Sequence, residues 1–451
     1  MPKNNDKVLK KEWVIAIAIF SICFFIFLFS DILITTNTSI TFDKLLFQGK
    51  LYHLYEASYK TFGGVLAGSY ITYDFPIYIF FGIWNLPLLI LTKITGFYWV
   101  EHYGAILYAK LFLVALLIIF FQVIKRIVGH FNLSKEDNKM YQYLFLSSSF
   151  TIMVIAMFAG YDILSLVFTF IGLYFYLKDD LPKFTAFFAI AISLKLFALL
   201  IFIPLLLLKE KNIGKIIGYS LCSISLVIIP KLIYRNAPMY QISMTSFENN
   251  MLNKLNLSYL ITPFGNTSIF TTIYVLICCL CYGKTIKDKK LLDLYTMYIP
   301  FVIYGLFSCF CEIHPQWIIL FVPFLIFFLV YNKENRKTNI LVESAFSVSF
   351  LYLLYQIYHW VFCPNLMNIM FGKFIPQQNG ITTLRVLEQY KMYNSLFGGA
   401  VLALLLYLFW INRPEKLLKQ EGQEVWSHWL LIARSCIIIP FAAIIIYYYF
   451  R

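Results

Sequence analysis

Five ionisable side chains stand inside or at the ends of long apolar stretches: Asp31, Asp162, Lys195, Glu312 and His314. A charge in mid-bilayer costs about 2.5–3.5 kcal/mol or more, so residues of this kind point to function rather than to solvation. Asp31 closes the first apolar run, Trp13 to Phe29, and opens a polar stretch that also carries Asp43. A carboxylate at such a boundary is poised to take a proton from an acceptor hydroxyl. Asp162 is the one acid of the short turn Phe158-Ala-Gly-Tyr-Asp162, in which Gly160 permits a tight connection. It either walls a site together with Tyr161 or caps the next helix. Lys195 falls within a 25-residue apolar run, 184–208, and is expected to pair with an anionic phosphate. His314-Pro-Gln316-Trp317, at a helix start, offers hydrogen bonds to a ligand or an interfacial tryptophan anchor. Lys110, Lys231 and Arg434 lie near helix ends and are expected to snorkel.

The run Cys309-Phe-Cys311-Glu312-Ile-His314 offers two thiols, a carboxylate and an imidazole, yet its spacing fits no standard zinc pattern, so no metal is expected there. The nine cysteines are odd in number and lie mostly inside or beside apolar runs, which excludes a disulfide-rich module.

These residues must be positioned by membrane helices. Of 451 residues, 60% are hydrophobic and 13% charged, against about 25% charged in a soluble domain. Apolar runs recur from end to end, each closed by a short basic cluster, as in an all-α polytopic membrane protein. The net charge of +14 does not imply a nucleic-acid partner, because the Lys and Arg residues sit in short loops. Clusters at 3–11, 125–139, 178–183, 209–215, 284–290, 333–337 and 413–419 hold 23 of the 37 basic residues. The longer stretches 31–102, 235–265 and 361–394 hold only nine. The positive-inside rule then places the clusters and the N-terminus in the cytoplasm and the long loops outside.

Keeping every cluster inside requires that 73–95 not cross the membrane. Pro76 and Pro87 suggest a split hairpin at the outer interface. The run 184–208, basic at both ends, reads as two half-helices that meet at Lys195. Thirteen membrane segments result: 13–30, 103–124, 141–158, 162–177, 184–194, 195–208, 216–234, 266–283, 294–311, 316–331, 339–360, 395–411 and 428–450.

The arrangement resembles a GT-C glycosyltransferase of the bacterial mannosyltransferase-like branch. Asp31 matches the acid that ends the first helix in that superfamily. Gly49-Lys-Leu-Tyr52 and Tyr73-Asp-Phe-Pro76 resemble elements of the first outer loop, and Gly160-Tyr-Asp162 resembles that of the second. Ser193-Leu-Lys195 with Pro204, and His314-Pro-Gln-Trp317, resemble the short lysine-bearing helix and a late donor-side motif. The resemblance implies a catalytic module over 1–317, with juxtamembrane helices in the outer loop 31–102, followed by further helices of the same membrane unit over 318–451. It also implies a multi-pass protein of a bacterial plasma membrane that transfers a hexose, with inversion, from a polyprenyl-phosphate donor to a cell-envelope glycan or glycolipid on the outer face. Asp31 would be the base, Lys195, His314 and Gln316 would hold the donor, and Asp162, Tyr161, Asp43 and Tyr73 would wall the site. The sequence has one acid where some members of the superfamily have two, which argues against a divalent metal, and no cofactor is expected. A flippase or transporter for lipid-linked saccharides and an outer-face polysaccharide polymerase stand as the alternatives.

Overall fold

In the computed structural model, residues 8–28, 32–62, 75–99, 102–255, 257–263, 265–357 and 391–450 are described. They form a predominantly helical membrane protein. The first helices are α1 (Lys10–Ile26), α2 (Ile32–Phe47), α3 (Leu54–Phe62), α4 (Pro76–Thr95), α5 (Tyr103–His130) and α6 (Lys135–Leu146). A short turn, α7 (Ser149–Thr151), runs into a π-helical stretch, Ile152–Met157. Then come α8 (Asp162–Leu177), α9 (Leu181–Leu194), α10 (Leu199–Lys209), α11 (Ile213–Ile233) and α12 (Pro238–Leu255). A hairpin, β1 (Tyr259–Thr262) and β2 (Gly265–Ser268), departs from the all-α expectation, with Tyr259 opposite Ser268. The chain continues through α13 (Ile269–Gly283), α14 (Lys289–Phe310), α15 (Val322–Tyr331), α16 (Arg336–Ile357), α17 (Asn394–Ile411), α18 (Pro414–Leu417), α19 (His428–Cys436) and α20 (Ile438–Phe450).

Among the described residues, seven helical stretches are long and apolar enough to cross a membrane, α6 with the turn after it forms one bent pair, and five apolar helices are shorter. α15 is central: every residue from Val322 to Val330 is buried, whereas α11 keeps most of its surface exposed. Lipid tails are as apolar as leucine, so close packing rather than escape from water must hold such helices together. Gly172 of α8 shows how: a Cβ there would come within 2.6 Å of the Phe188 ring of α9.

The loops that carry the basic clusters also start the next helices, since Ser134, Asp180, Asn212 and Asp288 accept hydrogen bonds from the first-turn amides of α6, α9, α11 and α14. Ion pairs then draw those loops together. His130 lies 2.8 Å from Asp293, and Asp179 lies 2.6 Å from Lys209 and 2.7 Å from Lys289. Asp137 meets Lys333 at 3.3 Å and Arg336 at 3.5 Å, and Lys284 meets Glu415 at 3.4 Å. Clusters from 125–139 to 413–419 therefore share one end of the bundle, and Glu12, 2.7 Å from His428, brings the start of α1 to the same end.

This geometry corrects the expected split of 73–95. α4 is one continuous 20-residue helix, with Pro76 in its first turn and Pro87 inside it. Pro76 falls where a helix has no amide bond to lose. Yet both ends of α4 stay away from the basic end. Phe75 meets Tyr234 and Phe81 meets Tyr161, while Trp84 exchanges hydrogen bonds with Tyr108 near the start of α5. α5 itself runs from there to the basic end at His130.

Two side chains expected to snorkel are buried instead, because carbonyls and a carboxylate meet them inside. Lys110 Nζ donates to the carbonyls of Phe24 (2.9 Å), Phe27 (2.5 Å) and Ala156 (2.8 Å). Arg434 forks onto Glu343 at 2.7 and 2.9 Å and also reaches Leu144 O and Ser147 Oγ. Lys231 is exposed, as a snorkelling side chain should be.

Candidate active site

The polypeptide before Asp162 is shaped by a chain of local exceptions. α6 ends at Leu146, capped by Ser147, and the helix restarts at a 52° bend. The π-helical stretch follows, ending with the bond from Phe158 N to Met153 O at 2.9 Å. Ala159 adopts a left-handed φ of 53°, and Gly160 N then donates to Val154 O at 2.8 Å. Gly160 is needed for space rather than for dihedral freedom: a Cβ would stand 2.8 Å from Val154 Cγ1 and 3.3 Å from Gln316 Cβ. π-helical irregularities of this kind concentrate at functional sites. Lys110 braces the turn by joining Ala156 to the last carbonyls of α1.

Asp162 is the first residue of α8, but its side chain does not cap that helix; Tyr161 occupies the cap position without a side-chain bond. The carboxylate turns instead to Lys195, Oδ1 to Nζ 2.7 Å, with side chains 1% and 5% exposed. Lys195 takes an extended conformation (φ −154°, ψ 111°) that ends α9 and separates it from α10. The half-helix pair expected over 184–208 is thus present. Ser165 Oγ ties α8 to Ala191 O at 2.9 Å and holds the two tips level.

Helix length sets the depth of this cluster. α8 and α9 have 16 and 14 residues, roughly 24 and 21 Å at 1.5 Å per residue. α5, with 28 residues, reaches about 42 Å. The short helices end below the full reach of α5, so Asp162 and Lys195 sit buried within the bundle at the end of α8 and α9 opposite the basic loops.

The segment after α14 supplies another side. His314 precedes the 3-10 turn Pro315–Leu320, and its ring lies 4.9 Å from that of Trp317. Lys195 Nζ is 5.5 Å from the Trp317 ring centre and 5.9 Å from that of Tyr161. Gln316 is buried against the Gly160 turn. A further cation joins them: Lys254, near the end of α12, lies 3.2 Å from Glu312 and 5.8 Å from the Trp317 ring. Burial, with Lys254 and Lys195 close by, pushes His314 down to about 3, so the imidazole is neutral at physiological pH. Trp317 Nε1 is buried without a hydrogen-bond partner among the described residues.

Two ion pairs therefore flank an indole, beside a neutral histidine. A lysine ammonium carries three N–H donors and can hold a carboxylate and an incoming anion oxygen together. Lys195 and Lys254 thus set two ammonium groups about the Trp317 ring, whose N–H has no hydrogen-bond partner among the described residues.

Of the residues singled out from sequence, Asp162, Tyr161, Lys195, His314 and Gln316 come together. Asp43 does not join them. It lies buried between α2 and α4, where a Cβ on Gly82 would fall 2.4 Å from Asp43 Oδ1, and burial raises its pKa to about 6. Asp31 and Tyr73 lie outside the described residues. Sequence reasoning missed Lys254, for which its context Asn253-Lys-Leu-Asn256 carries no signal. Among the described residues, no group of three or more His, Cys, Asp or Glu side chains could hold a metal ion. Compared with known proteins, the chain matches no family model, no curated protein and no solved structure.

Proposed function

We propose that the protein is a membrane glycosyltransferase of GT-C type, transferring a hexose from a polyprenyl-phosphate donor to a cell-envelope glycan or glycolipid. The observation that carries this reading is the cluster of Lys195, Lys254, neutral His314 and the Trp317 N–H, at the end of the bundle away from the basic loops. By the positive-inside rule that end faces outward, across thirteen segments that begin with a cytoplasmic N-terminus in a bacterial plasma membrane. In this topology α4 lies along the outer interface.

In the reaction, an acceptor hydroxyl oxygen attacks the anomeric carbon as the bond from that carbon to the phosphate oxygen breaks. The electron pair stays on the departing polyprenyl phosphate, where the two lysines stabilise its growing charge. The acceptor proton passes to Asp31, the base inferred from sequence, and the anomeric configuration inverts. Phosphate is already a good leaving group, so neither a second carboxylate nor a metal is required.

The test is transfer of label from polyprenyl-phosphate hexoses by purified protein in lipid nanodiscs. Asp31→Asn should abolish transfer and leave donor binding intact, because the amide keeps the shape but cannot take the proton. Near-normal turnover by that variant removes Asp31 from the role. A transporter for lipid-linked saccharides is the second reading, favoured by the helix pair broken at Lys195. Movement of labelled lipid between leaflets without transfer would establish it instead.

A further inference from the structure

A groove of about 590 Å³ opens at the basic end of the bundle, between the end of α10, the last turns of α13 and the first half of α14. Leu208, Ile277, Leu280, Ile299 and Val302 give it apolar walls, and among the described residues Lys284 is the one charged side chain of its lining. It faces hydrocarbon, because α13 is peripheral and buries only Phe270 and Cys281. From Tyr295 to Val302 the α14 wall is roughly 10 Å long, about two-thirds of the hydrocarbon of one leaflet. The groove thus runs from headgroup level into one leaflet.

Cations crowd its mouth. The stretches 209–215, 284–290 and 413–419 hold ten Lys and Arg against three acids, a surplus of seven. Asp179 and Asp293 answer only Lys209 and Lys289 of that surplus. Lys211 Nζ donates to the carbonyls of Cys281 and Tyr282, both at 2.8 Å, which fixes a positive charge at the end of α13. Lys284 Nζ donates to the Tyr295 hydroxyl at 2.6 Å and lies 3.4 Å from Glu415. The Tyr295 hydroxyl donates to the same carboxylate, so Glu415 is shared, and the half-exposed Lys284 keeps a third N–H for an incoming oxygen.

An apolar cleft in one leaflet, basic at its mouth, selects an amphiphile with an anionic head. We propose that this groove binds an anionic phospholipid, its phosphodiester at Lys284 and one acyl chain between α13 and α14. A neutral lipid would fill the same walls and leave the lysine unused. The bound lipid completes the packing of α13, which the protein alone leaves largely exposed. The site lies at the opposite end of the bundle from Lys195 and Trp317, so the proposal stands apart from the transferase reading.

The test is native mass spectrometry of full-length protein in detergent, titrated with phosphatidylglycerol or with phosphatidylcholine of the same acyl chains. Phosphatidylglycerol should bind more tightly, and Lys284→Gln should weaken it about fivefold while leaving phosphatidylcholine unchanged. Lys290→Gln, outside the lining, should keep the preference; both lysines are exposed, so neither change disturbs the core. A phosphatidylglycerol with a photoreactive acyl chain should label 277–283 and 295–302, and excess inorganic phosphate should not displace it. Equal affinity for the two lipids, equal losses in Lys284→Gln and Lys290→Gln, or label outside those two segments overturns the proposal. Displacement by inorganic phosphate would make this a site for the free anion, and crosslinking of a photoreactive residue at 280 to a second copy of the chain would make it a seat for a helix. Either result also overturns the lipid assignment.

Discussion

Replacing Lys195 by methionine should destabilise the protein strongly, and replacing Asp162 as well should restore most of the loss. The Asp162 side chain is 1% exposed and its carboxylate lies 2.7 Å from the ammonium. Removing one partner of a buried pair leaves an uncompensated charge, at a cost of about 3–5 kcal/mol. Replacing both by apolar residues of similar volume, as in Asp162→Leu/Lys195→Met, removes the desolvation cost together with the attraction and is often neutral or better. A double-mutant cycle should therefore show a coupling of roughly 3 kcal/mol or more, a hundredfold effect on the unfolding equilibrium. Unfolding in mixed micelles, followed by tryptophan fluorescence, reads it directly, since Trp317 lies 5.5 Å from the ammonium. The double variant should nevertheless bind polyprenyl phosphate poorly, which separates the structural role of the pair from the functional role of Lys195. Coupling below about 1 kcal/mol would refute the reasoning, because the pair would then behave as a solvated one.

Arg434→Ala leaves Glu343 buried without its fork and should cost about 3–5 kcal/mol, with Arg434→Lys recovering only part; wild-type thermal stability of the alanine variant in detergent contradicts this. Asp43 is raised from 3.8 to about 6 by burial, so it stays neutral in the fold where the unfolded chain already ionises, and stability should fall as pH rises from about 4 to about 6. Asp43→Asn should remove that slope and add about 2–3 kcal/mol at pH 7.5, and equal stabilities at pH 4 and 7.5 in the parent protein would contradict the assignment. In a cysteine-free background, cysteines at positions 259 and 287 should react with an impermeant maleimide from opposite faces of the membrane, and positions 75 and 98 from the same face; opposite accessibility of 75 and 98 means that α4 crosses.

The sequence by itself determined the class of the molecule. Apolar runs that no soluble core could bury, closed by basic loops, require membrane helices. A lysine in the middle of an apolar run with basic ends likewise marked the break at Lys195, because an unbroken helix would strand the charge. The tertiary structure decided the partners. Hydropathy records which residues avoid water, not which helices are neighbours, and a buried charge takes whichever counter-group packing delivers. Lys110 finds the carbonyl of Phe24, 86 residues away, and Arg434 finds Glu343 across 91, where end position alone suggested snorkelling. Packing likewise turned Asp162 from cap to ion-pair partner, set Asp43 apart against Gly82, and brought Lys254 to Trp317. α4 stayed continuous because Pro76 falls in a first turn that has no amide bond to give up, and because Leu88 and Leu89, just beyond Pro87, are buried with Ile40 of α2 and Ala105 of α5.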